Sequence, residues 1–213
     1  MKQDKIKLLL VDDHAIVRAG FRYLLESDSD YEIREVNTAE EACNIYGEYK
    51  PDAVIMDLMM PGMGGLEGVK HIQAKDSKAK VLVLSMRDDH AYVSRVQNAG
   101  AKGYVTKRSA PEELTRAVTH IIKGKSYLSA DVMDVKSDNA MTSDDDKIKC
   151  LSEREFEVFC LLADGRTVVE ISNDLHLSPK TVSNHRTHIM HKLQAKSIVD
   201  LTRLAIRNGL IEA

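Results

Sequence analysis

Short apolar runs that stop at Asp or Ser recur along the first half of the chain, and stretches with apolar residues three and four apart lie between them. Ile6 to Val11, Ala53 to Met56 and Val81 to Leu84 have the length and branching of strands buried on both faces of a parallel sheet. Tyr31 to Val36 and Gly103 to Val105 are weaker versions of the same signal. The intervening periodicity predicts helices over Ala15 to Leu25, Thr38 to Tyr49, Leu66 to Ala74, Ala91 to Ala99 and Ala110 to Lys123. Thr38/Glu41 and Ser109/Glu112 have the spacing of capping boxes at the second and fifth. Strict βα alternation over residues 1–125 predicts an α/β domain, a doubly wound five-stranded parallel sheet with helices on both faces.

Such sheets bind ligands outside the carboxyl ends of their strands. Asp12 and Asp13 follow the first run, Asp57 the second, Ser85 the third, and Lys107 the run beginning at Gly103. Folding the sheet brings three carboxylates, a hydroxyl and an ammonium to one edge. Three acids bind a hard divalent cation through oxygen, one of them can become an aspartyl phosphate, and the lysine and hydroxyl can hold phosphoryl oxygens. Each residue alone has a plainer role: Asp13 as a helix cap, Ser85 as a strand-end hydroxyl, Lys107 as a solvated charge. Capping by Asp13 leaves Asp12 and Asp57 without an account. The loop Pro61 to Gly65 matches no phosphate-binding fingerprint and reads as a turn that lets the backbone pass the site.

Past residue 125 the periodicity fails, and 126–149, dense in Ser, Asp and Asn, reads as a linker with a short helix at Ala130 to Val135 as the alternative. Residues 150–213 read as an all-α domain of four helices: Glu153 to Ala163 behind a Ser152/Glu155 box, Val168 to Leu175, Pro179 to Leu193 behind an N-cap Ser178, and Ile198 to Asn208 ended by Gly209. Only His176 and Leu177 separate the second helix from the cap of the third, which is a helix-turn-helix spacing. On the third helix Val182, Ile189 and Leu193 share the core face, with Arg186 beside them. Lys180, Ser183, Asn184, Thr187, His188 and His191 take the opposite face.

With 213 residues, 43% of them apolar, the chain has material for two ordinary cores. No apolar stretch approaches the roughly 18 to 20 residues that span a bilayer, and Asp12 and Asp13 arrive before a signal-peptide core develops, so a cytoplasmic protein is expected. Cys43, Cys150 and Cys160 lack CxxC spacing and read as reduced, structural thiols. The net charge of −3 disfavours a nucleic-acid partner only as an average: residues 126–149 carry 3 basic and 6 acidic side chains, while 1–125 and 150–213 balance at 19 each and 8 each. Lys180, Arg186, Lys192 and Lys196 occur with no acid between Asp174 and Asp200, leaving a local basic surface. His185, His188 and His191 fan around their helix too widely to converge on one ion.

The motifs LLLVDDH, IMDLMMPGMGG, LVLSM and KGYVTK, followed by LSEREFEV, EISNDLHLSPKTVSNH and HKL, resemble the NarL/FixJ family of two-component response regulators. In that family a receiver domain is joined to a LuxR-type helix-turn-helix domain; VRAG, LSPKTV and LTRLAIRNGLI look most like its GacA/UvrY branch. The resemblance implies strand order 2-1-3-4-5, Asp57 as phosphoacceptor, and Mg²⁺ bound by Asp13, Asp57 and the Met59 backbone carbonyl with Asp12 acting through water. It implies that Lys107 and Ser85 hold the phosphoryl group and that Tyr104 turns inward behind it. It also implies a sensor histidine kinase as phosphodonor, promoter DNA as ligand, and a homodimer when phosphorylated. Lys180, Thr181, Ser183, Asn184, Thr187, His188, His191 and Lys192 become the DNA-contact set, with Asn184 able to read adenine and Lys180 and Lys192 suited to phosphates. Val168 and Val169 stand where many members carry Asn-Lys, and Ser183 where Lys is common, which weakens charge-driven binding and raises the need for pairing.

The expected function is therefore transcription control by phosphorylation, not enzymatic turnover. A Mg²⁺-dependent phosphotransfer enzyme would use the same carboxylates, but the second domain carries no catalytic constellation. A phosphorylation-independent DNA-binding regulator would keep the receiver for pairing alone, and the intact pocket speaks against it.

Overall fold

The computed structural model describes residues 5–28, 31–88, 90–133, 148, 150–208 and 210–211. Two compact units share the chain, the first made of residues 1–88 and 92–135 and the second of 89–91 and 136–213. In the first, β1 (Ile6–Val11), α1 (Ala15–Asp28), β2 (Tyr31–Val36), α2 (Ala39–Tyr49), β3 (Ala53–Asp57), α3 (Gly65–Lys75), β4 (Val81–Ser85), α4 (His90–Asn98), β5 (Gly103–Thr106) and α5 (Ala110–Ile122) follow the expected alternation. The parallel strands lie in the order β2-β1-β3-β4-β5, extended at the far edge by β6 (Tyr127–Leu128). Both faces are covered, so the central strands have no solvent side to populate with polar residues. Leu8, Leu10, Ile55, Leu82, Leu84 and Val105 pack under Phe21 and Leu25 of α1 and Leu114, Val118 and Ile121 of α5. On the other face α3 approaches closely: a Cβ at Gly68 would stand 2.9 Å from Ala39 Cβ and 3.3 Å from Met56 Cε.

The stretch expected as linker opens with ordered chain. Tyr127 and Leu128 pair in parallel with Gly103 and Tyr104, and α6 (Ala130–Met133) follows within the alternative short-helix range. Side chains of α5 and β5 clasp this segment. Glu113 accepts hydrogen bonds from the Tyr127 hydroxyl at 2.6 Å and the Ala130 amide at 3.3 Å, and Thr106 Oγ1 donates to Asp131 at 2.5 Å. Two residues are too short for a periodicity signal, which is why the sequence concealed β6. Ser109 is a second correction. It sits at the N-cap of α5 in a helical conformation and makes no side-chain cap, because its hydroxyl meets Thr106 Oγ1 at 3.0 Å.

In the second unit, α7 (Glu153–Ala163), α8 (Val168–Asp174), α9 (Pro179–Lys192) and α10 (Ile198–Arg207) realise the four expected helices. The Ser152/Glu155 box is present, and Ser178 accepts from the Thr181 amide. Thr167/Glu170 and Ser197/Asp200 form two further boxes, whose spacing was visible in the sequence. Phe156, Phe159, Ile171, Val182, Ile189, Leu201 and Ala205 make the core. Between α8 and α9, His176 takes the left-handed conformation at φ 50°. Arg154 braces that turn, donating to the Leu175 carbonyl at 2.8 Å and pairing with buried Glu157 at 2.6 Å. The expected stop at Gly209 lies outside the described residues.

Candidate functional site

Strand register assembles the pocket. Val11 pairs with Met56, so Asp12 and Asp57 leave adjacent strands side by side; Asp57 pairs with Leu84, and Ser85 with Thr106, which puts Ser85 and Lys107 at the same edge. This is the point where the strand order reverses direction, between β1 and β3. Lys107 reaches back across it, with Nζ 2.9 Å from Asp12 Oδ2 and 2.8 Å from Asp57 Oδ2. The β3–α3 loop passes so close that a Cβ at Gly65 would lie 1.8 Å from the Asp57 carbonyl oxygen. Only glycine fits there, as the reading of Pro61 to Gly65 required.

Asp12, Asp13, Asp57 and His14 each offer a donor atom, and these atoms lie within 4.8 Å of one another. Of the three carboxylates, Asp12 and Asp57 share the one ammonium, and both are almost wholly buried. Burial pushes the Asp57 carboxyl up to about 6, with Lys107 opposing and Asp12 reinforcing the shift. Burial draws the Lys107 ammonium down, but Asp57 and Asp12 together hold it above its ordinary value. Asp57 Oδ2 meets the ammonium at ion-pair distance, yet off the angle of a hydrogen bond. Excess negative charge, oxygen donors and an underused buried oxygen fit a divalent cation.

Ser85 and Tyr104 meet through the backbone of one residue. Ser85 Oγ accepts the Arg87 amide at 3.0 Å, and the Tyr104 hydroxyl donates to the Arg87 carbonyl at 2.6 Å. Tyr104 is fully buried. Met59 donates its amide to Asp57 Oδ1 at 3.2 Å, which fixes the carboxylate from the loop side.

In the second unit, Lys180, Ser183, Asn184, Thr187, His188 and His191 are all exposed along α9, while Val182 and Ile189 are buried beneath. Thr181 is half-buried, and its hydroxyl pairs with Ser178 Oγ at 2.8 Å. Lys192 is exposed as well, and its ammonium lies 2.6 Å from Glu155 Oε2 of α7, an ion pair that ties two helices together.

Residues 8–119 match the family described as "Response regulator receiver domain", and residues 149–205 match "Bacterial regulatory proteins, luxR family". The chain belongs to the two-component response regulators. Response regulator UvrY of Escherichia coli is 36% identical over 211 residues, covering 98% of this regulator and 97% of the relative. Response regulator GacA of Pseudomonas aeruginosa is 35% identical over 212 residues, covering 98% and 99%. Among solved structures, the RcsB–DNA complex superimposes with a TM-score of 0.60 at 28% identity, covering 96% and 99%. RcsB has also been solved as two dimers on two parallel DNAs and, from Salmonella enterica, on promoter DNA with the phosphomimetic BeF₃⁻. The regulator thus pairs a receiver with a LuxR-type DNA-binding domain and belongs to a family of transcription regulators, not of enzymes.

Three contributors to the regulator's pocket escaped the sequence reading. His14 stands beside Asp13 at 2.8 Å, Arg18 donates to the Asp12 carbonyl at 2.5 Å, and Arg87 supplies the backbone between Ser85 and Tyr104. Only His14 carried a signal, its place directly after two acids. Val169 is 61% exposed, so the missing family cation leaves an apolar side chain on the surface. Cys43 and Cys160 are buried thiols, but Cys150 is exposed, which confines the structural reading to the first two. Among the described residues no helix is long and apolar enough to cross a membrane.

Proposed function

We propose that Asp57 accepts a phosphoryl group from the phosphohistidine of a sensor kinase in the cytoplasm, and that phosphorylation promotes dimerisation and promoter binding. The observation that carries this is Lys107 bridging Asp12 and Asp57 at a buried edge where three carboxylates converge. An Asp57 oxygen attacks the phosphorus, a P–O bond forms, the P–N bond to the kinase histidine breaks, and its electron pair returns to the imidazole. Asp13, Asp57 and the Met59 carbonyl would hold Mg²⁺, with Asp12 acting through water; the ion supplies positive charge against the phosphoryl oxygens. The Lys107 ammonium transfers from Asp57 Oδ2 to a phosphoryl oxygen, and Ser85 turns its hydroxyl from the Arg87 amide to another. The Arg87 backbone then carries the change to Tyr104, a population shift whose size is set by these new contacts. Treatment of the full chain with acetyl phosphate and Mg²⁺, followed by peptide mass spectrometry, tests the site. One acyl phosphate on Asp57 is expected, and phosphate elsewhere overturns the assignment.

On the output side, the exposed face of α9 enters the major groove, with Asn184 reading a base and Lys180 holding phosphate. Thr181, Ser183, Thr187, His188 and His191 line the same approach. Val199 and Ile206 are exposed on α10 while Leu201 and Ala205 point inward, so a second apolar face is available for twofold pairing. Dimers bound this way require inverted half-sites about one helical turn apart. The RcsB dimers on DNA support this reading for the regulator.

Two variants separate base reading from helix tying. Asn184→Ala is expected to cost about 1 to 3 kcal/mol on the preferred sequence and almost nothing on scrambled duplex. Lys192→Ala leaves buried Glu155 without its cation, so the urea midpoint of the second unit should drop by the equivalent of about 1 to 3 kcal/mol. The salt dependence of DNA binding should not change. A slope shallower by about one unit for Lys192→Ala would return that lysine to a phosphate.

A further inference from the structure

We propose that His14 makes the acidic pocket a site for first-row transition cations such as Ni²⁺, Co²⁺ and Zn²⁺ as well as for Mg²⁺, by adding an imidazole nitrogen to its donor set. This rests on the pocket being a divalent-cation site. His14 Nδ1 lies 2.8 Å from Asp13 Oδ1 and 3.6 Å from Asp12 Oδ1. Two donors at right angles about an ion, each bonded at about 2.1 Å, stand about 3 Å apart. The His14–Asp13 spacing is therefore that of two adjacent ligands of one ion. The backbone holds it: the His14 amide donates to Asp12 Oδ1 at 2.8 Å, which pins the residue where β1 turns into α1. Its ring is 59% exposed, so an ion arriving from solvent can reach it.

Charge and buried oxygen point to a cation independently of that spacing. Asp57 is 1% exposed, and its Oδ2 has no hydrogen bond even with Lys107 beside it. Carboxylates alone suit Mg²⁺, which takes oxygen and keeps its waters. An imidazole adds little for that ion and much for Co²⁺, Ni²⁺ and Zn²⁺. The competing reading is that His14 only donates a hydrogen bond to Asp13 and supports whichever ion is bound. The two readings differ in which ion notices the loss of the ring.

Isothermal titration of the full-length regulator with Mg²⁺ and with Ni²⁺ distinguishes them, using the parent chain, His14→Ala and His14→Gln. The chain has 8 histidines, so the relevant Ni²⁺ step is the one that saturating Mg²⁺ suppresses. Both variants are expected to weaken that step by about tenfold or more while Mg²⁺ affinity stays within about twofold. Ring resonances of His14 should broaden first when Ni²⁺ is added to the parent chain. Unchanged Ni²⁺ affinity in His14→Ala overturns the proposal and leaves the Mg²⁺ reading intact. Retained affinity in His14→Gln, which keeps a donor to Asp13 without the ring nitrogen, overturns it in favour of hydrogen-bond support. Absence of any Mg²⁺ binding to the parent chain overturns the pocket reading and this proposal together.

Discussion

Asp57→Asn is expected to leave the regulator unable to take up phosphate and, without divalent cations at neutral pH, more stable than the parent. The first effect follows from losing the attacking oxygen. The second follows from the pocket's electrostatics, since burial holds the Asp57 carboxyl at about 6 against an ordinary 3.8. Below 3.8 the carboxyl is protonated in both folded and unfolded chains and the raised value has no consequence. As pH rises through the interval, the unfolded chain releases its proton first, so folding stability falls and the full loss is reached above about 6. That gap corresponds to about 3 kcal/mol, an upper bound because the chain around a charged group relaxes. Urea denaturation in chelator should show the variant ahead by up to that amount at pH 7 and level with the parent near pH 4. Saturating Mg²⁺ should erase or invert the advantage, because the cation binds the parent's carboxylates. Equal stability across the whole range would mean that Asp57 ionises as if exposed.

Lys107→Met moves the other way. The lysine ammonium lies within 3 Å of both Asp12 and Asp57, and both acids are 1% exposed in their side chains. Removing it leaves two neighbouring buried carboxylates facing each other, and breaking one side of a buried ion pair costs about 3 to 5 kcal/mol. In chelator at pH 7 the variant should therefore unfold at markedly lower urea. The penalty should shrink toward pH 5, where Asp57 takes up a proton and the repulsion is relieved. If acetyl phosphate still labels the variant, the phosphate should fail to alter DNA affinity, because the contact that links phosphoryl group to β5 is gone. A variant as stable as the parent, with a normal phosphorylation response, would remove Lys107 from the switch.

The opposite signs of these two substitutions cannot be read from the chain alone, although the identities of the residues can. Asp12, Asp13, Asp57, Ser85 and Lys107 each follow an apolar run, and parallel strands share one polarity, so their convergence at a single edge follows from alternation and chain direction. Capping residues and periodicity likewise marked the helices of the second unit and the buried face of α9, because those signals are local. What the sequence left undecided depends on contacts between distant segments. Glu155 and Lys192 are 37 positions apart, and only the packing of α7 against α9 brings them into the ion pair that ties the two helices. β6 exists because Gly103 and Tyr104 offer it an open edge and Glu113 clasps it, while its own two residues carry no pattern. Asp57 is acidic by sequence, but its raised pKa comes from exclusion of water by the layers above and below the sheet. Sequence by itself determined which groups meet; the tertiary structure decided how far each is buried and which of several partners it holds, because desolvation and ion pairing depend on distance through space and not on distance along the chain.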